Sequence, residues 1–172
     1  AGEQPAAHHR LNPCSTSQRR ALLLTSAYSI NQLGVSSILN RSRFAFALCA
    51  DDYAMTPGVS RGILEAIESD ALTATSVMTT SPWWPDAAAA LEQHRERIDI
   101  GLHLNLTLGA PLGPMPRLAP NGRLPGIGAL MGLNRNRALP LDEIAAEIGR
   151  QADRFSKGFQ QPPDHLDGHQ HV

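Results

Sequence analysis

Lysine is nearly missing from this chain. Of its 15 basic residues, 14 are arginine and one is Lys157, a skew that reflects coding bias rather than function. Cysteine is scarce too. Cys14 and Cys49 stand alone and make neither a disulfide framework nor a zinc knuckle. Net charge is all but absent, at −1, so no global field recruits nucleic acid or an anionic membrane. No apolar run approaches the ~18 residues that span a bilayer. A membrane protein, a disulfide scaffold and an electrostatic nucleic-acid binder are therefore all poor readings, and a cytoplasmic location is expected. What is present is a globular composition, 42% hydrophobic and 18% charged, too apolar for disorder. The 172 residues amount to one domain at roughly 100–200 residues each. A chain of this size buries about 70% of its unfolded surface.

Acidic residues are missing locally. None lies between Glu3 and Asp51, a stretch that carries Arg10, Arg19, Arg20, Arg41 and Arg43. Ser15, Thr16, Ser17, Ser36 and Ser37 add to its polar character. Arg-rich, Ser-rich and acid-poor is the signature of a transit-like leader, but no cleavage site is evident. Leu22-Leu23-Leu24 is too short an apolar core for secretion. Residues 1–43 are expected to be an extension outside the fold, with a domain boundary near Arg43.

From Phe44 the pattern changes. Phe44 to Cys49 is an apolar run of strand length, ending on Ala50-Asp51-Asp52. Thr56-Pro57 reads as a helix start, with Val59, Ile63, Ala66 and Ile67 at helical spacing to about Ser69. Ala74 to Met78 is β-branched and reads as a strand. Asp86 to His94 predicts a helix, and Ile98 to Leu104 a third strand. Gly109 to Gly128 holds five of the 13 prolines and reads as loop. Leu141 to Phe159 is the best helix, with Ile144, Ile148, Ala152, Phe155 and Phe159 as its apolar stripe and Glu143, Glu147, Arg150 and Arg154 elsewhere. Pro162-Pro163 stops it, and His165-Leu166-Asp167 begins a fourth strand.

Such alternation implies an α/β fold with parallel strands and crossover helices. In such folds polar residues at the carboxyl ends of strands carry the chemistry. Here those are Asp51-Asp52, His103, His169 and His171. Carboxylate and imidazole groups from three strand ends make the ligand set of a divalent metal with open positions. Each residue has a plainer role singly, as an Asx turn or a core histidine. Only the shared function explains why all fall at strand ends.

These same residues carry a resemblance. Ala50-Asp51-Asp52-Tyr53 with Thr56-Pro57-Gly58-Val59, and Leu72-Thr73-Ala74-Thr75-Ser76, resemble the opening of the YdjC/ChbG-like carbohydrate deacetylase family. Ile100-Gly101-Leu102-His103-Leu104-Asn105-Leu106-Thr107 resembles its second block, and Pro163-Asp164-His165-Leu166-Asp167-Gly168-His169-Gln170-His171-Val172 its third. The resemblance spans Phe44 to Val172. It implies a metal-dependent hydrolase that removes N-acetyl groups from amino sugars or chitooligosaccharides, on a TIM-like (β/α) barrel. By motif, Asp51 would be the general base, and Asp52, His103 and His169 would hold the metal, with His171 ranked below His169. The family implies magnesium, whereas two imidazoles suit zinc or manganese better.

The division of labour is chemically coherent. A divalent ion polarises an amide carbonyl and acidifies water, and a carboxylate off the metal takes the proton. Neighbouring residues of a strand point opposite ways, so the Asp pair is expected in a turn. Trp83 and Trp84 follow the second strand and could offer a sugar platform. Asn105-Leu106-Thr107 and Asn40-Arg41-Ser42 fit the glycosylation pattern by coincidence. Cys49 is expected to be a buried small hydrophobe. The family's chains run on past the His-Gln-His-Val block. The 129 residues from Phe44 are about half of a ~200–250-residue barrel. A partial barrel, truncated on its C-terminal side, is therefore expected, inactive and marginally stable alone, with a homodimer as the fallback. Two other classes stay open: a phosphoesterase-type metallohydrolase, and an inactive metal- or sugar-binding remnant.

Overall fold

The computed structural model describes residues 47–172. The expected extension over residues 1–43, its leader-like features, Cys14, the Asn40 sequon and Phe44–Phe46 lie outside the described residues. Strand β1 (Cys49–Tyr53) leads to helix α1 (Pro57–Glu68), then β2 (Ala74–Val77), α2 (Trp84–Glu92) and β3 (Asp99–Leu104). A long loop, then α3 (Ile127–Arg135) and α4 (Leu141–Phe159), precede β4 (Leu166–Gly168) and a 3-10 turn, His169–His171. The four strands lie in the order β1-β2-β3-β4, and every pair is parallel. Neighbours in sequence are neighbours in the sheet, as in the wall of a (β/α) barrel and unlike a doubly wound sheet, whose order reverses. The expected α/β, partial-barrel class is what the chain adopts. No described helix is long and apolar enough to cross a membrane.

The two faces of the sheet differ in chemistry because side chains alternate along a strand. Val77, Ile100, Leu102 and Leu104 point to the helices and are buried with Ile63 and Ile67 of α1, Leu91 of α2, and Phe155 and Phe159 of α4. The opposite face carries Ser76, His103 and Asp167, which hydrogen-bond to one another. Gly101 lies on this face as well. A Cβ there would come within 2.3 Å of the His165 ring. Gly101→Ala is therefore expected to displace the His165 imidazole at a cost of about 1–3 kcal/mol. A melt unchanged from the parent chain would contradict that.

Sequence patterning placed α1 and α4 well. Thr56 caps α1, its Oγ1 accepting from the Val59 N–H at 3.2 Å. The face of α4 differs from expectation. Glu143, Glu147, Gln151, Phe155 and Phe159 are the buried residues, one i,i+4 ridge. Ile144, Ile148 and Ala152 are only half-buried beside it. The ridge accepts polar residues because the long loop brings it donors. Glu143 accepts from the Arg117 and Leu118 N–H groups at 3.1 and 3.0 Å. Glu147 accepts from the Leu112 N–H at 2.8 Å. Gln151 accepts from the Asn105 N–H and donates to its carbonyl. Burial opposes the Glu143 charge, but the Leu118 N–H and Arg117 outweigh it and hold its carboxyl below the usual range.

Two further departures matter. α3 lies almost wholly between the expected loop and α4, where the sequence reading assigned no element and where Gly128 and Gly132 mask its helical period. Helix α2 starts at Trp84, earlier than Asp86, and this buries Trp84 at 3% exposure. Its ring stacks on Phe155 at 6.3 Å and meets Phe159 edge-on at 5.4 Å. Trp84 is thus a core residue with no face for a sugar, which corrects its place beside the substrate.

Candidate active site

β1 contains the Asp51-Asp52 pair rather than ending before it, and the expected turn is a bulge within the strand. Register is lost between Ala50 and Tyr53. Asp52 has φ 63° and Ala54 φ 71°, in the left-handed region that costs roughly 1–2 kcal/mol for a residue with a Cβ. The Ala54 N–H donates to Ser60 Oγ on α1 at 3.1 Å, which anchors the segment. A regular strand would send neighbouring side chains to opposite faces. The bulge instead lets both carboxylates reach the surroundings of His103.

Asp52 Oδ1 lies 3.2 Å from His103 Nε2 and 2.8 Å from His169 Nδ1. The two rings meet edge-on with centroids 5.4 Å apart. One ligand atom from each of these three residues falls within 4.8 Å of the others. Cis ligands on an octahedral ion at 2.0–2.1 Å sit about 3 Å apart; both distances are compatible with that spacing, and the shorter one is also a hydrogen-bond length. His103 comes from the end of β3 and is 3% exposed. His169 comes from the turn directly after β4, at the strand end where the sequence places it.

One carboxylate oxygen and two imidazole nitrogens are a donor set that suits a divalent cation. The other nitrogen of His103, Nδ1, is 2.7 Å from Asp167 Oδ1 and 3.1 Å from Ser76 Oγ. The Ser76 hydroxyl donates to Asp51 Oδ1 at 3.3 Å, so neither neighbour offers Nδ1 a proton. A proton carried on Nδ1 would leave a bare lone pair at Nε2. That lone pair would face a carboxylate oxygen, and only a cation or a proton between them would relieve the repulsion.

Asp51 is exposed, and its Oδ1 accepts from Ser76. It groups with His103 and Asp167 rather than with Asp52 and His169. Asp167 and Ser76 are participants that motif reading did not single out. Asp167 stands in register with His103 across β3 and β4, and two-residue alternation from His169 was the signal for it.

The remaining expected residues lie elsewhere. Trp83 is 48% exposed and lines a cavity of about 490 Å³ with Met55, Thr80, Leu108 and Arg154. His171 is in none of the three groupings of potential metal ligands among the described residues. It borders an apolar cavity of about 590 Å³ with Leu106, Leu130 and Ile144. Cys49 is exposed rather than buried, its Sγ 3.7 Å from His165 Nε2. Partial burial of the sulfur, then the charges of Asp51 and Asp167, push its pKa up to about 12. It remains a thiol and not a nucleophile.

Sheet order and side-chain constellation together define an α/β protein with a His/Asp centre at the carboxyl ends of parallel strands. The chain belongs to the YdjC-like protein family, whose model matches residues 45–172. It is 37% identical over 123 residues to a chitooligosaccharide deacetylase of Proteus mirabilis (strain HI4320), covering 72% of this chain and 47% of that protein. It is 39% identical over 123 residues to a chitooligosaccharide deacetylase of Klebsiella pneumoniae (strain 342), with 72% and 48% covered. A crystal structure from Enterococcus faecalis V583, named "putative cellobiose-phosphate cleavage protein", superposes with a TM-score of 0.63 at 29% identity. That likeness covers 73% of this chain and 48% of the other. The chain spans about half the length of the curated relatives it matches.

Proposed function

We propose that this chain carries the hydrolytic centre of a metal-dependent carbohydrate N-deacetylase acting on amino sugars or chitooligosaccharides. The observation that carries the reading is the Asp52 oxygen held 3.2 and 2.8 Å from nitrogens of two imidazoles. Family membership supports the same chemistry, through relatives named chitooligosaccharide deacetylase. Asp52, His103 and His169 would hold the ion, magnesium by family resemblance and zinc or manganese by the preference of imidazole. When bound, a divalent ion polarises the acetyl carbonyl, acidifies the attacking water and balances the oxyanion.

The rest falls to the chain's own groups. Ser76 donates its hydroxyl to one Asp51 oxygen, which orients the exposed carboxylate to take a proton from water. Trp83 offers an exposed indole face for a sugar ring on the rim beside Arg154. Among the described residues no Arg or Lys is paired with Asp51, Asp52 or Asp167. A phosphoesterase would use such a cationic clamp, so acyl hydrolysis is the better reading.

The test is acetate release from N-acetylated chitooligosaccharides by the full-length protein, with magnesium or zinc added and then removed by a chelator. Metal-dependent release is expected. Release that persists in the chelated protein would remove the metal from the mechanism. Trp83→Ala is expected to raise KM with kcat little changed, since the indole would contribute to binding in ground and transition states alike. A KM equal to that of the parent would place the sugar elsewhere.

A further inference from the structure

We infer that Asp167 is a positioning residue that locks His103 in the tautomer able to bind a cation. This rests on the metal reading of the Asp52, His103 and His169 cluster and adds a residue to it. The His103 ring sits between two carboxylates. Asp167 Oδ1 lies 2.7 Å from Nδ1, and Asp52 Oδ1 lies 3.2 Å from Nε2. A neutral imidazole carries a proton on only one nitrogen. The shorter contact is the length of a charge-assisted hydrogen bond, which assigns the proton to Nδ1.

The same geometry decides between two mutually exclusive arrangements. Asp51, His103 and Asp167 also bring one ligand atom each within 4.8 Å. A cation there would use His103 Nδ1 and force the proton onto Nε2, the opposite tautomer. The Nδ1–H to Asp167 bond excludes it and makes those residues an orienting network. Backbone register builds the network in, because His103 and Asp167 are direct partners across β3 and β4. Ser76 shares the Nδ1 proton at 3.1 Å and passes its own to Asp51. One chain of hydrogen bonds thus runs from Asp167 through His103 and Ser76 to the proposed base. A carboxylate on Nδ1–H fixes the ring orientation and raises the basicity of Nε2.

The experiment has two readouts. Long-range 1H–15N spectra of the metal-free chain report which His103 nitrogen is protonated, assigned by loss of the signals in His103→Gln. Protonation at Nδ1 is expected, and protonation at Nε2 in the parent chain would overturn the proposal without any Asp167 variant. Zinc titration against a competing chelator then compares the parent with Asp167→Asn and Asp167→Ala, each checked for a cooperative melt. Affinity is expected to fall about 10–100-fold in both. An affinity within twofold of the parent in either folded variant would overturn it. Asp52→Asn separates the two ideas. If it binds zinc as well as the parent, the metal reading of the cluster fails, and the tautomer spectrum still decides the place of Asp167.

Discussion

In the full-length protein, Asp51→Asn is expected to lower acetate release by about 10²–10⁴-fold, the usual worth of a positioned general base. Zinc or magnesium affinity is expected to stay within a fewfold of the parent. The asymmetry follows from where the two neighbouring carboxylates sit. Asp51 Oδ1 accepts from the Ser76 hydroxyl, and an amide oxygen accepts that hydrogen bond equally well. What the amide cannot do is take a proton from water. Asp52 lies against both His103 and His169. Asp52→Asn removes the one negative charge from the three-atom set and is expected to weaken metal binding first. Metal titration of both variants, with acetate assayed alongside, decides the matter. Equal loss of metal in both would show that the two carboxylates share one role.

The adjacent tryptophans are expected to behave in opposite ways. Trp84→Ala should cost about 3–5 kcal/mol, the range for deleting a large buried aromatic. Its indole fills the space between α2 and α4, against Phe155, Phe159 and Ala88. A Cβ on Gly158 would come within 2.8 Å of the ring, so α4 is already at close contact and has no bulk with which to fill the hole. Total stability of a domain is only ~5–15 kcal/mol, so the loss is a large fraction of it. Trp83→Ala, with the side chain half in solvent, should stay within about 0.5 kcal/mol. Denaturant unfolding of both variants measures the contrast. Similar midpoints would mean that the α2–α4 contact contributes little.

Much of this architecture was legible in the residues. The bounds of α4 were, because prolines flank a strongly periodic run. The ligands Asp52, His103 and His169 were, because strand ends in an α/β pattern collect polar groups. The buried face of α4 was not. Glu143, Glu147 and Gln151 find their backbone donors 25 to 46 residues away, and no local window contains those pairs. The bulge at Asp52 depends on Ser60 holding Ala54 from the next helix. Its Ala-Asp-Asp-Tyr sequence has no glycine to announce a left-handed residue. Asp167 is visible only once β3 and β4 are in register. Helix α3 was hidden by its own glycines.

The polar half of the α4 ridge has a consequence for how a substrate reaches the centre. Asn105, Leu112, Arg117 and Leu118 are tied to three consecutive turns of one rigid rod. Swinging that loop aside means breaking several sequestered bonds at once, each worth about 1–3 kcal/mol when a partner is stranded. The loop is therefore a fixed wall and not a door. Met55, Thr80 and Trp83 line an open cleft together with Leu108 and Gly109 of the same loop, and Asn105 ties Thr80 to it at 2.8 Å. Selectivity for a sugar chain would then be set by the shape of an unmoving groove rather than by closure around the guest.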